Sequence, residues 1–230
     1  MDLSENRFLA ALDPEEGALL RPLLRRVSIA VDRIMVDQGA PLTEVHFPID
    51  AQFANVIRFP DGSAIETAVV GYEGLTGLAP FMADRGCAWE IVCGAAGDAY
   101  VISTSALRAV ATQRPRLMAR LLALTDLYQA QAAQTAACNA LHPVPDRIAR
   151  WILTARDLSP NDTLVFRQEE LARLIGARRS TVSEAASLLK RRRFIAYNRG
   201  VIRITDRPGL EAAACDCYAM LKPRLDDAHR

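Results

Sequence analysis

Histidine is scarce in this sequence. His46, His142 and His229 are its only three, and no metal-ligand cluster of useful spacing includes them, so the usual general base at neutral pH is poorly represented. No glycine loop is shaped to cradle phosphate, and no nucleophile motif is present. These absences argue against an enzyme. Long apolar runs are missing too: none approaches the roughly 18 residues of a membrane helix. The acidic start, "MDLSENRFLAALDPEE", lacks a basic region followed by an apolar core, and the expectation is a cytoplasmic protein with no membrane partner. The five cysteines (Cys87, Cys93, Cys138, Cys215 and Cys217) are an odd number. They have no framework spacing, which suits a reducing compartment better than a disulfide scaffold.

Apolar side chains are plentiful. Half of the 230 residues are hydrophobic, enough for one large or two modest domains with real cores. The net charge of +1 conceals an uneven division. Residues 1–145 carry −5, residues 146–210 carry +7 from 14 basic and 7 acidic residues, and the last twenty carry −1. A polyanionic partner should therefore meet the back third of the chain.

The segment "DPEEGALLRPLL" reads as a short helix entered through Asp13 and Pro14. The period then shortens. "RRVSIAV", "EVHFPI", "QFANVIRF", "AIETAVV", "AWEIVCG" and "DAYVIS" are strand-like runs separated by turn signals, the pattern of a small antiparallel barrel or jelly roll. From Arg116 to Leu141 there is neither Gly nor Pro, which predicts one long helix. Leu117, Leu121, Leu124 and Tyr128 form an apolar stripe at 4-3-4 spacing, assigned to the dimer helix, and Leu122, Leu127 and Ala130 give another apolar face. One stripe would pack on the barrel while the other pairs with a second copy; the alternative is a helix buried only against its own domain. "HPVP", from His142 to Pro145, ends the helix and marks a hinge. The predicted fold is α+β, with a sensor barrel at 1–115, a dimerisation helix at 116–142 and a nucleic-acid-binding unit at 143–230.

That last unit contains "LARLIGARRSTVSEAASLLKRRRFIAYNRG". Leu171, Leu174 and Ile175 are the apolar stripe of one short helix ending near Gly176. Val182, Ala186 and Leu189 are the buried face of a second, leaving Ser180, Glu184, Ser187 and Arg191 outward, with Arg179 and Ser183 on its flank. This order is that of a helix-turn-helix, whose second helix enters the major groove of duplex DNA. Arg suits guanine, Ser and Glu suit other base edges, and Thr181 with the helix amides suits a phosphate. Lys190, Arg191, Arg192 and Arg193, with Arg167, would attract the backbone irrespective of sequence. "FIAYNRGVIRIT" predicts a two-stranded wing with Arg199 at its tip.

Through "VHFPID", "VVGYEGLTGL", "DRIARWILTARD", "RQEELARLIGARRSTVSEAASLLKRRRFI" and "NRGVIRI", nearly the whole chain resembles the CRP/FNR family of bacterial transcription regulators. The resemblance implies a cyclic-nucleotide-binding-like jelly roll, a dimerisation helix and a winged helix-turn-helix, with duplex DNA, a second copy and RNA polymerase as partners. It assigns Arg179, Ser180, Ser183 and Glu184 to base reading, and Arg167, Gln168 and Thr181 to phosphate. Arg178 stands where a small capping residue is common. The places of the cyclic-AMP contacts hold Leu75, Gly86, Cys87, Ala132 and Ala133, with Arg85 adjacent, so a cyclic phosphate would be poorly paired. No cofactor is expected, and any effector is of another, less polar kind. Cys138 and His142, four apart, are too few for a metal, and Cys215 and Cys217 read as packing residues. The competing reading is a ligand-sensing or protein-docking barrel with weak, non-specific DNA binding.

Overall fold

The computed structural model describes the backbone of residues 1–165, 168–198 and 200–227, and their side chains except at 168–170 and 227. Helices α1 (Arg7–Ala10) and α2 (Pro14–Leu20) open the chain. Asp13 caps α2 in a reciprocal box with Glu16, satisfying two end groups at once. Seven strands follow: β1 (Arg25–Ile29), β2 (Ile34–Val36), β3 (Glu44–Pro48), β4 (Gln52–Arg58), β5 (Ala64–Val70), β6 (Glu90–Ala95) and β7 (Gly97–Ser103), with α3 (Leu78–Ala83) between β5 and β6. They form two antiparallel sheets, ordered β1-β7-β3 and β2-β6-β4-β5. Phe47, Leu75 and Tyr100 are fully buried in the larger core of this sandwich, and Phe53 and Ile91 in a smaller one. The jelly roll is as the strand spacing predicts, with the three-residue β2 and helix α3 added.

Helix α4 (Thr104–Ala111) leads to α5 (Pro115–Leu141), whose proline occupies the first turn, where a missing N–H costs nothing. Leu117, Leu121 and Leu124 are 0%, 0% and 3% exposed, all within the barrel core of their own chain. This stripe is thus the one that packs on the barrel: apolar periodicity defines a buried face without saying what buries it. Tyr128, the fourth, is half-buried and donates to Glu73 Oε1 at 3.2 Å. The outward seam is another one: Ala119, Leu122, Asp126, Gln129, Ala133, Ala136 and Ala140 alternate at three and four residues and are all exposed, Leu122 at 55%.

The break after α5 is only His142 and Pro143. Val144 and Pro145 already belong to α6 (Val144–Asp157), which Pro143 caps. Strand β8 (Thr163–Val165), α7 (Gln168–Ile175), α8 (Arg179–Arg191), β9 (Ile195–Asn198), β10 (Val201–Ile204) and α9 (Arg207–Ala213) complete a winged unit with sheet order β8-β10-β9. The wing therefore has a third strand beyond the predicted hairpin. Ile148, Ile152, Leu171, Val182, Leu189, Ile202 and Leu210 fill the core of this unit. The last helix, α10 (Cys217–Asp227), returns to α5. Its Arg224 pairs with Asp126 at 3.1 Å, and its Leu221 and Leu225 join the barrel core.

Leu121→Ala should lower unfolding free energy by about 2–5 kcal/mol, the range for deleting a buried leucine side chain. Urea titration would check this, and a loss under about 1 kcal/mol would show that the α5 face is not core.

Candidate DNA interface and sensor cavity

Helix α7 ends on Gly176, whose φ of +63° is left-handed; the Ala177 amide reaches back to the Ala172 carbonyl and closes the turn. Arg178 is the N-cap of α8 and makes no side-chain cap hydrogen bond, and the helix starts at Arg179. Val182, Ala185, Ala186 and Leu189 are buried. Arg178, Arg179, Ser180, Thr181, Glu184, Ser187, Lys190 and Arg191 are exposed, and Ser183 is half-buried. The 3.6-residue period thus sorts the helix as the sequence implies.

Lys190 is exposed and its Nζ donates to the Tyr197 carbonyl at 3.0 Å, tying α8 to the wing. The helix closes on Arg193, left-handed at φ 60°, with Phe194 N bonded to the Leu189 carbonyl. Arg167, Arg199 and the side chain of Gln168, all assigned to DNA by sequence, lie outside the described residues.

The winged unit rests on the barrel. Gln52 Nε2 donates to the Ala155 carbonyl at 2.7 Å, and Trp151 Nε1 reaches Glu66 Oε1 at 3.5 Å. Gly71 and Gly74 permit close approach: an added Cβ would lie 1.9 Å from the Leu158 carbonyl oxygen at Gly71 and 2.1 Å from Tyr128 Oη at Gly74. That explains the glycines of "VVGYEGLTG" sterically. Burial pushes the Glu66 carboxyl up to about 8, opposed by Trp151, Arg150 and Arg173. Glu73 is also buried and pushed up to about 7, while the amides of its own turn and Tyr128 oppose the shift.

A cavity of about 280 Å³ lies between β4, β5, α3 and α5, lined among others by Asn55, Thr67, Trp89, Thr125, Tyr128, Gln129 and Ala132. None of its lining residues is charged. Among the described residues, Asn55 Oδ1 and Trp89 Nε1 are buried without a hydrogen-bond partner, leaving one acceptor and one donor unsatisfied. Of the six residues that sequence placed at an effector pocket, only Ala132 lines it. Leu75 and Cys87 are in the cores, and Arg85, Gly86 and Ala133 are exposed. Loop residues were aligned by position along the chain, whereas the turn of the Gly86 loop carries them outward.

The expectation that Cys215 and Cys217 only pack is also corrected. Cys138, His142, Cys215 and Cys217 converge, their ligand atoms all within 4.8 Å of one another. The Cys138 thiol is held well below its ordinary range by the hydrogen bond from Cys215, against burial and with help from His142, Arg150 and Cys217. The Cys215 thiol is raised by the same contact and by burial. The missed signal was the pairing of Cys-x-x-x-His with Cys-x-Cys across more than seventy residues.

Residues 146–213 match the family model of a Crp-like helix-turn-helix domain. No curated protein matches the chain by sequence. In fold it is similar to FixK2 from Bradyrhizobium japonicum, with a TM-score of 0.71 and 15% identity over 84% of this chain and 98% of that one. It is also similar to the c-di-GMP responsive global regulator CLP of Xanthomonas campestris, at 0.65 and 15% over 84% and 99%. A CRP-family transcriptional regulator from Thermus thermophilus gives 0.58 and 20% over 83% and 96%.

The folded-state pKa of Glu66 lies above its unfolded value, so the stabilisation it brings is complete below pH 4.5 and is lost as pH rises through about 8. Wild-type thermal stability should fall across that window more steeply than that of Glu66→Gln, which mimics the protonated form. Parallel profiles would remove Glu66 from the account.

Proposed function

With a Crp-like helix-turn-helix domain in a chain of CRP/FNR-regulator fold, we propose that this transcription regulator is a cytoplasmic homodimer that reads a pseudo-palindromic DNA site. One observation carries the reading: Ser180, Glu184, Ser187 and Arg191 stand exposed on one side of α8 while its apolar residues are buried. That side has the dimensions and chemistry for a major groove. Arg179 and Ser183 flank the reading face, and Thr181 with the first α8 amides holds a phosphate. Two copies pair through the seam of Ala119, Leu122, Asp126, Gln129, Ala133, Ala136 and Ala140. This sets two α8 helices about 34 Å apart, one turn of DNA. RNA polymerase is the further partner.

The effector is an uncharged small molecule in the α5 cavity that accepts from Trp89 Nε1 and donates to Asn55 Oδ1. A cyclic phosphate would meet no cation there, so cyclic AMP does not act through the usual contacts. Against Thr125, Gln129 and Ala132 the effector would bias the position of α5, and the short break at His142 and Pro143 would carry that bias to α8.

Selection from fragmented genomic DNA with the ligand-free protein, followed by sequencing, should return a two-fold-symmetric motif. Binding that shows a salt slope but no preferred motif would favour the non-specific reading. Arg179→Ala should relax preference at one base pair per half-site, at a cost of about 1–3 kcal/mol. Arg192→Ala, at an exposed cation assigned to the DNA backbone, serves as its comparison in the salt titration, and identical behaviour of the two would overturn the division between reading and holding residues. Leu122→Glu should convert the dimer to monomer in sedimentation, and an unchanged mass would move the interface elsewhere.

A further inference from the structure

We propose that Cys138, His142, Cys215 and Cys217 form a tetrahedral Cys3His site for zinc(II) that clamps the end of α5 to the start of α10. The donors come from two segments. Cys138 and His142 occupy the last turn of α5, where the His142 amide bonds to the Cys138 carbonyl at 3.0 Å. Cys215 and Cys217 flank the entry to α10, where the Tyr218 amide bonds to the Cys215 carbonyl at 3.0 Å. Cys138 Sγ lies 3.4 Å from Cys215 Sγ, and Cys217 Sγ lies 3.4 Å from His142 Nδ1. Zinc takes thiolates at about 2.3 Å and imidazole nitrogen at about 2.0–2.1 Å, so the donors of such a tetrahedron stand about 3.8 Å or slightly less apart. The observed spacings bracket that edge.

Burial and charge point the same way. All three cysteines are buried and the histidine half-buried, as in a closed structural site with no open position for substrate. Three thiolates and one neutral imidazole around a divalent ion leave one negative charge. Arg150, buried with its Nε unpaired, supplies a positive charge that acts on the Cys138 sulfur. The other two cysteines, Cys87 and Cys93, lie in the barrel, away from this cluster. A bound ion would join the break at His142 to the helix whose Leu221 and Leu225 enter the sensor core. It would thereby hold the winged unit at one angle to α5.

The full-length protein, reduced and then loaded with zinc(II) alone, should retain one equivalent per chain through gel filtration, read by elemental mass spectrometry. Cobalt(II) in its place should give thiolate charge-transfer absorption and the intense visible bands of a tetrahedral ion. Zinc-loaded protein should also melt at a higher temperature than the chelator-treated form. Cys215→Ser and Cys217→Ser should lose the metal, whereas Cys93→Ser and the ligand-conserving Cys217→His should keep it. Circular dichroism separates a lost site from a lost fold. Folded wild-type protein that retains no metal would overturn the proposal, as would an unchanged stoichiometry in Cys215→Ser. So would a Cys138 to Cys215 disulfide whose reduction restores no metal uptake. None of these readings involves DNA, so they stand apart from the function proposed above.

Discussion

Burial of one face of α5 in the barrel is the constraint on which the rest of the chain depends. A helix turns by about 100° per residue, so once Leu117, Leu121, Leu124 and Leu127 are committed to the core, every other side of α5 has its neighbour assigned. Thr125 and Ala132 face the cavity, the Ala119 to Ala140 seam faces out with Gln129 also lining the cavity, and Cys138 meets the C-terminal segment. Rotating the helix to present those leucines elsewhere would forfeit about 1.5–3 kcal/mol of hydrophobic stabilisation for each.

The barrel sheet makes the second connection. Strand β5 gives Thr67, Ala68 and Val70 to the cavity and Glu66 to the face against which Trp151 and α7 lie. Nearer the break, Arg147 is buried in α6 and donates to Asn139 Oδ1 at 3.1 Å and to the Ile175 carbonyl at 2.8 Å. One guanidinium therefore bridges the end of the long helix and the turn before α8. Such groups have few alternative arrangements, because leaving a buried charge unpaired is costly.

Local chemistry was legible in the sequence and long-range chemistry was not. The α2 cap, the run of α5 without glycine, the turn at Gly176 and the two faces of α8 each follow from residues within one or two turns of one another. The α5 stripe was read from such periodicity, yet only the structure could say that it meets its own barrel. The cavity was missed because it is lined by residues from four elements. Trp151 with Glu66 and the four-donor cluster were missed for the same reason: each joins side chains separated by at least seventy positions, with no periodic pattern to reveal it.

The return of α10 to α5 bears on how this architecture could be recombined. A cut at His142 looks clean in sequence and would lift out the winged unit as a cassette. It would also remove Leu221 and Leu225 from the barrel core, and Arg224 from Asp126. The barrel left behind would carry an exposed apolar strip along its longest helix. A graft that kept this barrel intact would need two junctions, one at the break and one near Ala214, with the final helix left beside the barrel. The chain's two units are thus interleaved rather than serial, and exchange of the winged unit between chains of this fold is geometrically harder than their linear order suggests.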